Sequence, residues 1–224
     1  MPTSVVNITV HGIGPTCRTL DPGEDGTWVS VEQFERVLDA AVGRQDVRIT
    51  FDDGNASDVE IGLPRLVERG LTAQFFVLAG EFGKPGRVDI DGVKALHAAG
   101  MSVGSHGWAH RDWRRITEEQ AQEEIGDANR VIGEVTGTPV TAVAVPFGSY
   151  DRIVLGRLRK AGVRRVYTSD GGRAQDDQWL QARNSIRHDL DANWIEDVLN
   201  GRGSPKIIAR QFAARNVKRL RGAP

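Results

Sequence analysis

The chain has 224 residues, a formal net charge of −1, 39% hydrophobic and 26% charged residues. That balance is that of an ordinary soluble globular protein and points to neither nucleic acid nor membrane as a partner. The single cysteine, Cys17, excludes an intrachain disulfide framework and an all-cysteine zinc site.

No apolar run approaches the ~20 residues that span a bilayer. Met1-Pro2-Thr3-Ser4 lacks the basic and apolar pattern of an export leader, so a cytoplasmic location is the expectation.

In chain order, Ser4 to Val10 alternates in valine and isoleucine and reads as a first strand, with His11 at its carboxyl end. Gly12, Gly14 and Pro15 open a loop over 12–27, and Ser30 is placed to cap a helix over 31–42. Phe34, Val37, Leu38 and Ala41 share one face of that helix. Val47 to Phe51 is a second strand, stopping at Asp52-Asp53-Gly54. Asn55 or Ser57 then caps a helix to about Arg69, and Ala73 to Leu78 is a dense apolar strand.

A helix over 89–99 and a strand over 101–105 lead into Ser105-His106-Gly107-Trp108-Ala109-His110. Thr117-Glu118-Glu119-Gln120 has the form of a capping box and opens a long helix to about Thr136. A strand over 141–145 stops at Pro146-Phe147-Gly148, a helix follows over 151–161, and a strand over 164–168 comes next. The last strand spans about 181–187 and precedes His188-Asp189. Six or seven alternations of strand and helix predict a single α/β domain over 1–224, a distorted (β/α) barrel of about seven parallel strands.

From Lys206 to Arg221 there are six basic residues and no acid, which predicts a basic C-terminal helix over 204–224. One reading is a solvated basic face. The other is peripheral attraction to anionic sugars or lipid phosphates.

The chemistry-bearing residues gather at strand carboxyl ends, the rim on which barrel enzymes build their sites. An Asp-Asp-Gly is by itself an ordinary turn, and a His-x-x-x-His pair can be structural. Together they make a coherent metal site. On a helical turn, His106 and His110 would share one face, and a carboxylate would complete three protein ligands. Of two adjacent acids, one can ligate while the other takes a proton from water whose pKa the cation has lowered to about 7. Trp108 and Trp179 are candidates for stacking on a sugar or, equally, for packing.

These motifs resemble the polysaccharide deacetylases of the NodB-homology type, carbohydrate esterase family 4. The resemblance rests on Thr50-Phe51-Asp52-Asp53-Gly54, on Ser105-His106-Gly107-Trp108-Ala109-His110 and on Pro146-Phe147-Gly148-Ser149-Tyr150-Asp151, and extends over about 7–189. It implies a metal-dependent hydrolase that removes N-acetyl groups from an amino sugar or glycan. Asp52 would be the general base. Asp53, His106 and His110 would hold a divalent cation, zinc first and cobalt or nickel as substitutes. The Phe147 backbone N–H would donate to the oxyanion, with Pro146 beside the substrate.

Two positions depart from the family pattern. Ala144 stands where an arginine often orients the base, and Arg183 on the last strand is the candidate replacement. The general acid is His188, with His11 as competitor. The alternatives on this fold are a hydrolase of a small non-carbohydrate amide and a catalytically silent sugar-binding relative.

Overall fold

The structure is a computed structural model that describes residues 3–20, 23–201 and 205–221. Its strands in chain order are β1 (Ser4–Val10), β2 (Gly12–Ile13), β3 (Trp28–Val29), β4 (Val47–Phe51), β5 (Ala73–Val77), β6 (Ser102–Ser105), β7 (Ala142–Ala144), β8 (Arg165–Thr168), β9 (Ala174–Gln175) and β10 (Leu180–Ser185). Seven of them run parallel in the order β10-β8-β7-β6-β5-β4-β1, and β10 pairs with β1 to close the barrel. The expected architecture of about seven parallel strands is therefore present. Two short pairings go beyond it: β2 lies parallel to β3, and β9 adds antiparallel to β1.

Alternation along the strands separates two environments. Val6, Ile8 and Val10 of β1 and Ile49 and Phe51 of β4 pack outward in one cluster with Phe34, Val37 and Leu38. Phe51 stacks on Phe75 and meets Phe34 edge-on. The intervening positions are buried too, but polar: Asn7, Thr9, Thr50, Gln181 and Arg183. Successive side chains on a strand point to opposite faces, so these polar residues line the barrel's interior. Phe76 and Tyr167 pack together there and flank the Arg183 guanidinium.

The helices are α1 (Val31–Ala41), α2 (Leu63–Glu68), α3 (Ile90–Ala98), α4 (Glu118–Ala121), α5 (Ala128–Thr136), α6 (Arg152–Lys160), α7 (Ala192–Asn200) and α8 (Pro205–Leu220). Ser30 caps α1 and Thr117 caps α4, each with a reciprocal glutamine bond. The helix after Gly54 is not capped as expected. It opens with a wide turn over Asp58–Gly62. The Ser57 hydroxyl instead accepts from the Ile13 N–H, and the Asn55 amide donates to the His11 carbonyl. Both side chains thus tie the Asp-Asp-Gly turn to the end of β1. A similar wide turn over Gln122–Asp127 joins α4 to α5. Among the described residues no helix is long and apolar enough to cross a membrane.

Candidate active site

The register of β4 on β1 pairs Phe51 with Val10, so Asp52 and His11 emerge side by side at the rim. Asp53 then takes a left-handed backbone, φ 73°, which swings its side chain to the same side as that of Asp52. Among the described residues, the non-glycine positions with φ in this region are Asp53, His110 and Phe147. All three line one pocket, together with His11, Asp52, His106 and Arg183. Left-handed backbone is strained for residues with a Cβ, and its confinement to one cleft marks a functional site.

Arg183 is paired with Asn7 on β1, below the rim, and its length brings the guanidinium up to Asp52. Nη1 and Nη2 donate to Oδ1 and Oδ2 at 2.6 Å each, and Nη1 also donates to the Thr50 hydroxyl. The side chains are only 4% and 2% exposed. Burial opposes ionisation of Asp52, but the charge and hydrogen bonds of Arg183 outweigh it and hold the carboxyl well below its ordinary range. A planar fork on a carboxylate fixes orientation as well as charge.

His106 Nδ1 lies 2.9 Å from the Ala144 carbonyl, which can only accept, so Nδ1 carries the hydrogen and Nε2 presents its lone pair. That Nε2 is 3.4 Å from Asp53 Oδ1, and His110 Nε2 is 3.6 Å from the same oxygen. Ligand atoms of the three residues lie within 4.8 Å of one another. Asp53 Oδ1 is buried and has no hydrogen-bond partner, which a divalent cation between the three would supply. Two imidazole nitrogens and a carboxylate oxygen suit zinc and leave coordination positions open. The residues therefore fit a catalytic metal. Burial pushes the His110 pKa down, favouring the neutral form that binding a metal would need.

His106 and His110 do not sit on a helical turn as expected. Gly107 has φ 103°, and a Cβ there would lie 2.4 Å from Glu124 Oε2. The Glu124 carboxylate, fully buried, accepts from the Trp108 and Ala109 N–H groups and from Trp113 Nε1. It moulds the loop that brings both histidines to Asp53. Its signal in the sequence was a charge on the apolar stripe of Ala121, Ile125, Ala128 and Ile132.

Other expected residues fall elsewhere. His188 is exposed and outside the pocket lining. Its N–H donates to the Gly26 carbonyl, and its own carbonyl accepts from Gln33, so burial of Ile186 and Leu190 on either side leaves 187–189 facing out. His11 does line the pocket, and its Nδ1 is buried without a partner. Trp179 precedes β10 at the opposite end of the barrel, where its indole donates to the Val163 carbonyl. Trp108 packs beside Gly80, and Pro146 is buried behind Val145 and Phe147, which do line the pocket. Gly23, Glu24 and Thr27, just ahead of β3, contribute to one wall, and Arg87 faces the cleft beside Asp53. Neither carried a motif.

A fold and a rim of this kind define a class of barrel hydrolase-like domains, and comparison with known proteins names the family. The polysaccharide deacetylase family model matches residues 39–166, and the chain belongs to that family. It is 32% identical over 128 residues to a chitooligosaccharide deacetylase of Rhizobium leguminosarum bv. trifolii, covering 56% of this chain and 57% of that one. To the peptidoglycan-N-acetylglucosamine deacetylase PgdA of Listeria monocytogenes it is 30% identical over 110 residues, 48% of this chain and 22% of the relative. The chain spans about half the length of the first curated relatives it matches. In fold it is similar to the Streptococcus pyogenes deacetylase PplD, with a TM-score of 0.76, 18% identity, and coverage of 89% of this chain and 99% of PplD.

Proposed function

We propose that the chain is a metal-dependent carbohydrate N-deacetylase, releasing acetate from an N-acetylated amino sugar. The observation that carries this reading is the pairing of a buried, arginine-clamped Asp52 with a neighbouring Asp53 whose orphan oxygen faces two histidine nitrogens. Relatives named as chitooligosaccharide and peptidoglycan N-acetylglucosamine deacetylases support the substrate class.

Asp53, His106 and His110 would hold a divalent cation, with zinc the best fit and cobalt or nickel able to substitute. When bound, it supplies Lewis acidity, lowering the pKa of water towards neutrality and polarising the acetamide carbonyl. Asp52, kept ionised and oriented by Arg183, accepts the proton of the attacking water. The new C–O bond turns the carbonyl oxygen into an oxyanion, which the Phe147 backbone N–H stabilises from its left-handed turn.

His11 then donates a proton to the nitrogen as the C–N bond breaks, leaving acetate and the free amine. His11 takes this part rather than His188 because only His11 lines the pocket. Arg183 supplies the contact that the residue at position 144 often makes in the family, which answers the main reason for a silent sugar-binding reading.

Acetate release from a chitooligosaccharide by the zinc-loaded protein tests the proposal. Turnover should disappear in Asp52→Asn and lose its alkaline limb in His11→Ala, while His188→Ala should behave as wild type. Undiminished turnover in Asp52→Asn would sink the mechanism.

A further inference from the structure

The C-terminal helix carries the basic residues that sequence leaves either solvated or free to meet anions. The side chains of Lys206, Ile208, Arg210 and Phe212 lie outside the described residues. Arg215, Lys218 and Arg221 do neither of the expected things. Lys218 Nζ donates to the Gly148 carbonyl at 3.0 Å and to Asp170 Oδ1 at 2.7 Å, and sits 5.3 Å from the centre of the Tyr150 ring. Arg221 donates to the Tyr150 carbonyl at 3.0 Å, and its own carbonyl accepts from the Arg152 N–H. Arg215 donates to the Gly171 carbonyl at 3.0 Å. Two cations of α8 and a third just past its end are therefore turned onto two rim loops, 148–151 and 170–171.

The loop they grip carries Phe147. That residue is left-handed, with its ring 4.3 Å from that of His110, and Gly148 beside it has φ 58°. A Cβ at Gly148 would lie 1.9 Å from Ser169 Oγ, so the turn is pressed against the next loop with no room to shift. Backbone bonds within the turn are few: Gly148 N–H to Val145 and Ser149 N–H to Pro146. The Gly148 carbonyl depends on Lys218. Asp170 fixes the ammonium from the other side and is itself held by the Tyr150 and Thr168 hydroxyls. Burial opposes ionisation of Asp170, but its bonds to Lys218 and Tyr150 prevail and keep it below the usual carboxylate range. Charge-assisted bonds of this kind are stronger and shorter than neutral ones.

We propose that Lys218 is a positioning residue, and that through it α8 clamps the 146–149 turn in the conformation that aims the Phe147 amide into the pocket. The functional meaning rests on the deacetylase reading above; the clamp itself does not. α8 lies beyond residues 39–166 that match the family model, so a feature outside the family motifs would set the precision of one inside them.

The test compares Lys218→Met, Lys218→Arg and Asp170→Asn with wild type in the zinc-loaded full chain. Amide hydrogen exchange at Gly148 and Ser149 should speed up about tenfold in Lys218→Met, as loss of one charge-assisted bond implies, with β4 and β5 unchanged. On a chitooligosaccharide, kcat should fall about tenfold with KM within twofold, and Lys218→Arg should recover most of both effects. Unchanged exchange at 148–149, or equal acceleration along the whole chain, would overturn the clamp. Faster local exchange with wild-type kcat would overturn its positioning role. If wild type itself releases no acetate, the deacetylase reading fails, and the exchange data still judge the clamp.

Discussion

Both ends of the barrel hold a carboxylate bound by arginine, yet the two arrangements do different work. At the amino ends of the strands, Asp46 accepts from Arg44 at 3.2 Å and from Arg173 at 2.7 Å, with each side chain about 30% exposed. At the carboxyl ends, the Asp52 and Arg183 side chains are almost wholly buried where they border the pocket. Water screens the first cluster, so it contributes little to stability and tolerates change. The second has lost its hydration, so its worth lies in geometry, and removing one partner strands a charge in the interior.

Substitutions at the buried pair should be the most damaging. Asp52→Asn removes the proposed proton acceptor, and turnover should fall by about 10²–10⁴-fold, read as acetate released per second. Arg183→Met leaves the Asp52 carboxylate buried and unpaired. It should lose turnover and also about 3–5 kcal/mol of stability, measured by urea unfolding with the metal removed. A near wild-type rate and stability would mean the pair is ornamental.

A smaller effect is expected one layer behind the proposed metal ligands. Glu124→Gln places an amide where the Trp108 and Ala109 N–H groups need an acceptor, so the histidine loop should loosen. Zinc affinity, measured by competition with a chelating dye, should drop about 10–100-fold.

Asp46→Asn should cost about 1–2 kcal/mol at neutral pH, because water screening lowers the ~2.6 kcal/mol that its pKa shift would otherwise imply. Its pH dependence has a definite sign. Hydrogen bonds from Arg44 and Arg173 lower the Asp46 pKa to about 2, below the unfolded value of about 3.9. Its stabilisation is therefore complete above pH ~4 and fades as pH falls towards 2. The difference in stability between Asp46→Asn and wild type should shrink over that interval.

The same contrast between the barrel's ends explains what the sequence made legible. Strand and helix periodicity reported the barrel, because burial on one face is written in local alternation: Val6, Ile8 and Val10, or Phe34, Val37, Leu38 and Ala41, mark their faces unaided. The acids and histidines at strand ends were legible as motifs.

Long-range geometry was not. Arg183 became the partner of Asp52 only through strand register, and His188 read as a better candidate than His11 because nothing local in the sequence says that the chain after Ser185 turns outward. Glu124 hid in a helix because a buried carboxylate leaves the same letter as a solvated one. The caps expected from Asn55 and Ser57 failed because both side chains had nearer partners on the loop after β1.

The most direct test of the central claim is to strip the protein of metal, measure acetate release from a chitooligosaccharide, and then add back zinc, cobalt or nickel. The site predicts no acetate from the stripped protein, restoration by a divalent metal, and no restoration in His106→Ala. Sugar binding without acetate release under every metal, or full release by the stripped protein, would contradict it.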